Sequence, residues 1–415
     1  MGLNIVYAGE DLPAEILSTL FLAGPTPRAF PGDPAVRSWR ADAIAWLERA
    51  GYHGAVLVPE PRSGWSSDYD GQIGWECAMR ERADLILFWV PRDLEALPAF
   101  TTNIEFGEDL WRGRILYGRP SNAPKNRYLD ARYREATGDE PCAALEDLLR
   151  AAVAIVGEGA ARTSGERDVP LHIWRTRAFQ GWYRTLVRAG NRLERFRVLR
   201  TIQVGGGSAR AEPFGWMAHV HIHVSSEDRV KTNEVVVTRP DVASIVPVLD
   251  GPDGPEIVLT CEFRAQVRNL TGLVVEPPGG SSLDPHLDMR LVAVEELAEE
   301  LGLAGVDPAR LVEVGRRQVA STLLTHLATA YAFHPTAEEA ARLRHLATSG
   351  TILGENPSDL TGERIRLRIV PLRSLYEERL DWSSMGLIHE ALRVLQADGC
   401  TVATLQGEKE LFHEA

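Results

Sequence analysis

The chain has 415 residues, of which 44% are hydrophobic and 25% are charged, and its formal net charge is −13. This composition is that of an ordinary globular protein, with enough apolar residues for the cores of two domains. The acidic balance argues against a general nucleic-acid surface or an anionic membrane as a partner, while a local basic patch stays compatible with it.

The N-terminal residues Met1–Gly9 lack the basic and apolar regions of a secretory signal. No apolar run reaches the roughly 18 residues that a membrane helix needs. The four cysteines are widely scattered, which indicates neither a disulfide framework nor a cysteine metal site. We therefore expect a cytoplasmic protein with no membrane partner.

The first part of the chain alternates apolar strands with helices. Strands are predicted at Thr19–Ala23, Ala55–Val58, Leu85–Val90 and Arg114–Tyr117, and helices at Ser38–Ala50, Gln72–Arg82 and Cys142–Ile155. The third strand is apolar throughout, which is typical of a parallel strand covered on both faces. The alternation predicts a doubly wound parallel α/β sheet of the flavodoxin-like type, with ligands at the carboxyl ends of the strands.

Glycine and polar residues follow three of these strands, in the segments GPTPR (Gly24–Arg28), PEPRSGW (Pro59–Trp65) and PRDLEALPAFTTNIEFG (Pro91–Gly107). The pieces FLAGPTPR and FTTNIEFG resemble the nucleoside 2-deoxyribosyltransferase-like family. The resemblance covers about the first 130 residues, a normal size for one domain. It implies a domain that cleaves or transfers an N-glycosidic bond.

The resemblance also implies roles for single acidic residues. Glu105 takes the place of the nucleophile that attacks the anomeric carbon and forms a covalent glycosyl-enzyme. Glu76 lies near the position of the family's sugar-binding aspartate. Asp93 is the acid closest to the family's acidic element before the nucleophile, and base protonation is left to Asp93, to Asp70 or to no residue of the chain. The alternative for Glu105 is a glutamate that only favours the dipole of a helix start.

Other residues near these strand ends are predicted to bind the substrate. Gly24 and Pro25 shape a turn that lets a ligand approach the backbone, and Asn103 is placed to hydrogen-bond a sugar. Three arginines follow different strand ends and are candidates for binding a phosphate, although each alone also suits an exposed surface: Arg28, Arg62 and Arg92.

The segment Gly157–Val169 is rich in glycine, serine and charge and predicts a flexible linker. It divides the chain into a first domain at residues 1–156, the linker at 157–169 and a second domain at 170–415. Early in the second domain, His219, His221 and His223 alternate, so that all three project from one face of a strand. A zinc site and a polar outer strand face both fit this pattern, and the second is commoner.

An acidic helix after a glycine turn is the most informative feature of the second domain. The stretch Glu276–Leu303 opens with Pro-Pro-Gly-Gly, continues with helical apolar spacing, and ends at Gly302. Its three crowded carboxylates suit a hard divalent cation, or else a solvated acidic helix face. They belong to Glu296, Glu299 and Glu300.

The segment ELAEELGL (Glu296–Leu303) and the preceding Gly279-Gly280 resemble the Nudix box. EFRAQVRN followed by VVEPPGG resembles the Nudix subgroup that hydrolyses ADP-ribose and related compounds. These resemblances imply an α/β/α sandwich with Mg²⁺ (or Mn²⁺) on Glu296, Glu299 and Glu300. They also imply substrate phosphates on Arg264 and Arg268. Glu295 stands where the family has an arginine.

Together these features predict a nucleotide-processing enzyme that joins N-glycosidic bond cleavage or transfer to metal-dependent hydrolysis of a diphosphate. NAD and ADP-ribose are candidate substrates. In the alternative, a catalytically inactive Nudix module senses a nucleotide and regulates the first domain. The expected partners are a small nucleotide or nucleoside, with no nucleic acid and no membrane. A homo-oligomer is expected by resemblance only.

Overall fold

The computed structural model describes residues 2–27, 37–62, 68–203, 207–282, 284, 287–354, 363–378 and 380–397. The chain divides into two compact units, Met1–Arg239 and Pro240–Ala415. The architecture is mixed α/β, with a parallel sheet in the first unit and antiparallel strand pairs in both units. Within the described ranges, no helix is long and apolar enough to cross a membrane.

The first unit contains a five-stranded parallel sheet and a short antiparallel ribbon. Their strands are β1 Asn4–Tyr7, β2 Glu15–Ile16, β3 Thr19–Ala23, β4 Ala55–Val58, β5 Leu85–Trp89, β6 Ile115–Gly118 and β7 Arg162–Thr163. The order in the sheet is β1-β4-β3-β5-β6, and β2 pairs with β7. The four predicted strands are present, and β1 is an edge strand that the sequence pattern does not predict.

Helices cover both faces of this sheet. They are α1 Trp39–Arg49, α2 Tyr69–Arg82, α3 Phe100–Asp109, α4 Arg127–Thr137 and α5 Leu145–Val156. The buried side chains of α1 and α5 pack on one face, and those of α2, α3 and α4 pack on the other. On α3, Phe106 lies in the core and fixes the rotation of the helix about its axis.

The predicted linker at residues 157–169 is packed against the parallel sheet. It contains β7 and a 3₁₀ turn at Ser164–Asp168. Within it, the fully buried Arg162 guanidinium donates to both carboxylate oxygens of Asp84, at 2.9 and 2.6 Å. The polar composition suggested solvent exposure, whereas the charged side chain is paired with a partner 78 residues away. The boundary between the two units therefore lies at residues 239 and 240.

An antiparallel sheet completes the first unit, although these residues were predicted to begin the second domain. Its elements are α6 Leu171–Trp174, α7 Arg177–Arg188, β8 Arg192–Ile202, β9 Gly215–Val224 and β10 Arg229–Thr238, and the strand order is β10-β9-β8. One face of the sheet packs on α7 through Phe179, Phe196 and Trp216. The aromatic residues around Phe179 thus form a core.

The second unit is a mixed sheet between helices. Its strands are β11 Val242–Gly251, β12 Gly254–Phe263, β13 Leu273–Glu276, β14 Gly279–Gly280, β15 Val312–Gln318, β16 Leu327–Phe333 and β17 Arg366–Pro371. Its helices are α8 Met289–Leu301, α9 Ala337–Ser349 and α10 Trp382–Ala397. The main path is β13-β12-β11-β16-β15, with β14 paired to β11 and β17 to β12.

Two apolar clusters lie on the two faces of this second sheet. One contains buried residues of α8 and α9, and the other contains buried residues of α10. The acidic helix α8 ends at Gly302, which adopts a left-handed conformation with φ +65°. This is the end that the sequence predicts, because glycine readily takes the conformation of a helix C-cap.

Candidate functional sites

The carboxyl edge of the parallel sheet carries the first candidate site. Gly24 follows β3 with φ +151°, and a Cβ built on it would lie 2.2 Å from the Trp89 carbonyl oxygen at the end of β5. Only glycine fits this approach, so two neighbouring strands end close together here. Pro25 continues the turn, and its carbonyl oxygen accepts a hydrogen bond from the Trp39 indole N–H.

Arg40, at the start of α1, ties two strand ends together. Its buried guanidinium donates to the carbonyl oxygens of Leu22 and Gly24, at 2.9 and 2.6 Å. It also donates to a carboxylate oxygen of Glu60 at 2.5 Å, just beyond the end of β4. Arg40 is not predicted from the sequence, because the contacts that define its position span 16 to 20 residues of chain.

Glu76 on α2 and Glu105 on α3 lie close together at this edge. Gln72 donates to the Glu76 carboxylate at 2.9 Å, and Glu76 and Glu105 lie close enough to shift each other's pKa. Burial is the main reason that the pKa of Glu105 is raised to about 7; Arg80 and Arg40 oppose this shift, and Glu76 adds to it. Burial also raises the pKa of Glu76. Two adjoining buried carboxyls suit one protonated and one ionised partner.

Arg80 holds the two helices of this acid pair together. Its guanidinium donates to Asp109 at 2.6 Å and to Glu108 at 2.9 Å, both on α3. It also reaches the Glu105 carbonyl oxygen at 3.5 Å. The Asp109 carboxylate is fully buried, so this contact is a charged clamp between α2 and α3. Nothing in the local sequence marks it, since its partners are 25 to 29 residues away.

Other residues predicted for the first site lie elsewhere. Asp93 is exposed, and its carboxylate caps a turn by accepting the N–H groups of Glu95 and Ala96, which lowers its pKa. An ionised carboxylate is a poor proton donor, so Glu76 is better placed for that role. Arg62 is exposed and pairs with Glu10 at 2.6 Å.

Asn103 contacts Arg92. Its side-chain oxygen accepts a hydrogen bond from Arg92, and both residues line a cavity of about 300 Å³ with Trp111 and Tyr128. Arg28, the remaining predicted phosphate ligand, lies outside the described residues. Among the described residues, the first site is therefore an acid pair with two arginines, Arg40 and Arg80.

The second candidate site lies where α8 meets the glycine strand β14. The Gly279 N–H donates to a carboxylate oxygen of Glu300 at 2.8 Å, and the Glu300 residue is only 6% exposed. A Cβ on Gly280 would lie 2.1 Å from a carboxylate oxygen of Glu296. The two carboxylates therefore pack directly against the glycine backbone. Glu299 lies on the more exposed side of the same helix.

Negative charge is concentrated at this second site. Burial, and next the neighbouring Glu296, raises the pKa of Glu300 to about 9. Burial followed by Glu299, Glu363 and Glu295 raises the pKa of Glu296 to about 7. The charged neighbours that shift the pKa of Glu296 are all acidic, and a bound cation would offset their repulsion.

Divalent cations suit the donor type of these residues, since carboxylate oxygens are the ligands that Mg²⁺ and Mn²⁺ prefer. In the described ranges, no three acidic, histidine or cysteine side chains already converge on one point with metal-ligand geometry. The carboxylates of Glu296, Glu299 and Glu300 thus lie on one face of α8 and beside β14, and a bound cation would have to bring them closer together.

The arginines predicted for substrate phosphates differ in position. Arg264 pairs with Glu262 at 2.7 Å and lies close enough to Glu276 to lower its pKa, although burial raises the pKa of Glu276 more strongly. Arg268 is exposed in the turn that follows β12. Arg264 therefore borders the acidic region, and Glu276 and Glu363 belong to that region although they were not predicted as site residues.

The arginine missing from the Nudix-like pattern is not replaced by Arg290. The Arg290 guanidinium donates to the Pro308 carbonyl oxygen at 3.1 Å and lies over the Tyr331 ring. Asp288 caps the start of α8, because its carboxylate accepts a hydrogen bond from the Arg290 backbone N–H. Glu295 is exposed. No arginine on α8 is therefore seen to brace the acidic stripe.

No family model matches the chain, and no curated protein matches it either. Solved structures that are similar to part of it include one described as an ADP compounds hydrolase. It is 16% identical with a TM-score of 0.31, and the match covers 50% of this chain and 98% of the other. Another is a mutT/nudix family protein from Listeria innocua, 15% identical with a TM-score of 0.28; that match covers 39% of this chain and 98% of the other. Similarity at this level assigns no function, which leaves the geometry of the two sites as the basis for a proposal.

Proposed function

We propose that the chain is a nucleotide-processing enzyme whose second unit hydrolyses a diphosphate-linked nucleoside compound such as ADP-ribose. The observation that carries this proposal is the packing of Glu296 and Glu300 against the Gly279–Gly280 backbone. The glycine strand lets the carboxylates of Glu296 and Glu300 approach its backbone, where both would face a cation bound to a phosphate group. Glu296, Glu299 and Glu300 would hold Mg²⁺ or Mn²⁺.

When bound, the cation would offset the charge of the diphosphate and make an attacking water more acidic. The groups of the chain supply the geometry. The Gly279 N–H orients the Glu300 carboxylate, and Arg264 places a positive charge at the border of the acidic region. Water adds to one phosphorus, the bridging P–O bond breaks, and two monophosphates leave while a proton passes to solvent.

The test is a product analysis across nucleoside diphosphate compounds with Mg²⁺. We expect AMP and ribose 5-phosphate from ADP-ribose, and a loss of at least 100-fold in kcat/KM for Glu300→Gln. Glu338→Gln, which changes an exposed acid of α9, is the matched control and should keep the wild-type rate. Equal rates in the two variants, or no turnover across the panel, would contradict the proposal.

A nucleotide-sensing role for the second unit is the competing proposal, and the absence of a bracing arginine on α8 favours it. In that case ADP-ribose binds without being cleaved. Isothermal titration with and without Mg²⁺ separates the two roles, because a sensor gives metal-independent binding with intact ligand recovered afterwards. Recovery of AMP from the calorimeter cell after the titration would rule out a sensing role for the second unit.

For the first unit we propose cleavage or transfer of an N-glycosidic bond. The proximity of Glu76 and Glu105, at the carboxyl edge of a parallel sheet, supports this. Ionised Glu105 would attack the anomeric carbon while the C–N bond breaks and its electron pair leaves with the base. Glu76 would give its proton to the base, and water or an acceptor base would then release the sugar from Glu105.

Both activities on one chain would suit stepwise breakdown of a dinucleotide such as NAD, with base removal before the diphosphate is split. Glu105→Ala should abolish nicotinamide release from NAD and leave hydrolysis of added ADP-ribose intact. Glu300→Gln should let ADP-ribose accumulate from NAD. Nicotinamide release that survives Glu105→Ala would exclude this assignment. The predicted homo-oligomer and cytoplasmic location stay predictions.

A further inference from the structure

The outer face of the antiparallel sheet in the first unit is basic, although the chain as a whole is acidic. The inner face carries Phe196, Trp216 and their apolar neighbours against α7. Along β8, the residues that project from the opposite face are Arg192, Arg195, Arg197 and Arg200. All four are exposed. These arginines define what we call the basic strip.

The neighbouring strand β9 places imidazole rings beside the basic strip. The register sets Arg195 opposite His221 and Arg197 opposite His219, and Arg192 lies opposite His223. Directly paired residues of an antiparallel ladder share a face. The rings of His219 and His221 are 5.1 Å apart at their centroids and approach edge to face. The histidines are half-buried, so each presents part of its ring to solvent.

The third strand, β10, adds an apolar border. Val235 lies opposite His219, Val237 opposite Met217, and Val230 opposite His223. Val230 and Val235 are 44% and 38% exposed, so this border is open to a ligand. Across the sheet, the outer face thus passes from guanidinium groups through imidazole rings to aliphatic side chains.

Two of the arginines have their charge available. Arg192 pairs with Glu194, and Arg195 lies 3.8 Å from Asp168. Arg197 and Arg200 form no ion pair with any residue in the described part of the chain. Beside β9, Asp228 contacts His223 at 3.3 Å, at the end of the sheet. The centre of the face therefore lacks a compensating negative charge among these contacts.

This arrangement disfavours the zinc site that the histidine spacing left open. A dication beside His219 and His221 would face Arg197 and Arg195 across the ladder, and like charges repel. No three-ligand group includes these histidines within the described ranges. An anion, by contrast, gains from both the arginines and the imidazole N–H groups.

We infer that the outer face of β8, β9 and β10 binds single-stranded nucleic acid. Alternate residues on a strand are about 6.8 Å apart, so the arginines can follow successive phosphates of an extended strand. Bases stack on imidazole and guanidinium planes and tolerate an aliphatic border. A duplex hides its base faces and uses only the arginines. An acidic peptide would also leave the histidine and valine positions without a matching group.

The test uses the full-length protein and fluorescein-labelled 16-nucleotide RNA and DNA strands, followed by fluorescence anisotropy at several salt concentrations. Arg197→Glu/Arg200→Glu should weaken binding at least tenfold at 100 mM salt. It should also make the slope of log K against log salt shallower by about 1.4, because two phosphate contacts are lost. Arg184→Glu/Arg188→Glu is the matched control, since it changes the same charge on exposed positions of α7, on the other side of the sheet.

The control should bind within twofold of wild type, and both variants should melt like wild type. Three results would overturn the inference. These are an equal loss in both variants, no binding by wild type at 50 mM salt, and displacement of the strand by polyglutamate as effectively as by unlabelled strand. A duplex that competes as well as the single strand would equally reject base recognition by this face.

Discussion

His172 lies on α6 with both ring nitrogens buried and without a hydrogen-bond partner in the described ranges. Burial, and next the charge of Arg114, lowers the pKa of His172 to about 3. In the unfolded chain an imidazole has a pKa of about 6.5. The unfolded state therefore takes up a proton first as the pH falls, and stability is lost progressively below about pH 6.5.

The expected loss from His172 is about 2 kcal/mol in the free energy of unfolding at pH 5 relative to pH 7. His172→Gln removes the titrating group, so its stability should depend less on pH over this range, whatever its absolute stability. Urea unfolding followed by tryptophan fluorescence at pH 5 and pH 7 measures this. The exposed His345→Gln is the control and should keep the wild-type dependence; an unchanged dependence in His172→Gln would reject the assignment.

A second prediction at this scale concerns Glu105 and Glu76 and the pH dependence of base release. A carboxylate nucleophile must be ionised, so base release should fall as the pH drops through the Glu105 pKa of about 7. Glu76→Gln removes a neighbouring acid that raises this pKa, and the acid limb of the residual rate should move to lower pH. Glu81→Gln, an exposed change on the same helix, should leave the limb in place. A limb that stays near pH 7 in Glu76→Gln would contradict the pairing.

At the scale of elements, strands and helices with a clear local sequence pattern are predictable, whereas contacts between distant residues are not. The strands β3 to β6 and helix α8 follow from apolar runs, helical spacing and the cap at Gly302, all of which act over a few residues. The clamp of Arg80 on Asp109 and the tie of Arg40 to Glu60 depend on tertiary contacts. Composition alone could not distinguish the packed segment 157–169 from a linker, because a buried charge looks polar until its partner is known.

The packed segment makes the prediction at this scale. Arg162→Met leaves the fully buried Asp84 carboxylate without its charged partner. Breaking a buried pair from one side costs about 3 to 5 kcal/mol, so the free energy of unfolding should fall by that amount. Arg150→Met breaks an exposed pair with Asp147 and should cost less than about 1 kcal/mol. Chemical denaturation compares the two, and a flexible linker would make both changes equally mild.

At the scale of the whole molecule, the unit boundary determines which fragments can fold. A fragment of residues 1–239 keeps the Asp84–Arg162 pair and the antiparallel sheet. A fragment of residues 1–156, which ends at the predicted domain boundary, loses both. We expect the longer fragment to be soluble and to unfold cooperatively, and the shorter one to aggregate or to expose its core to a hydrophobic dye. If both fragments unfold cooperatively with the same free energy of unfolding, residues 157–169 would behave as the predicted linker.

The central claim for the molecule is that Glu296 and Glu300, packed against Gly279–Gly280, hold a divalent cation. Titration of the full-length protein with Mn²⁺, followed by electron paramagnetic resonance of the free ion, tests it without assuming a substrate. The account predicts saturable Mn²⁺ binding that Glu300→Gln weakens at least tenfold and Glu338→Gln leaves unchanged. Binding of the same strength in Glu300→Gln and wild type, or no saturable binding by wild type, would contradict it.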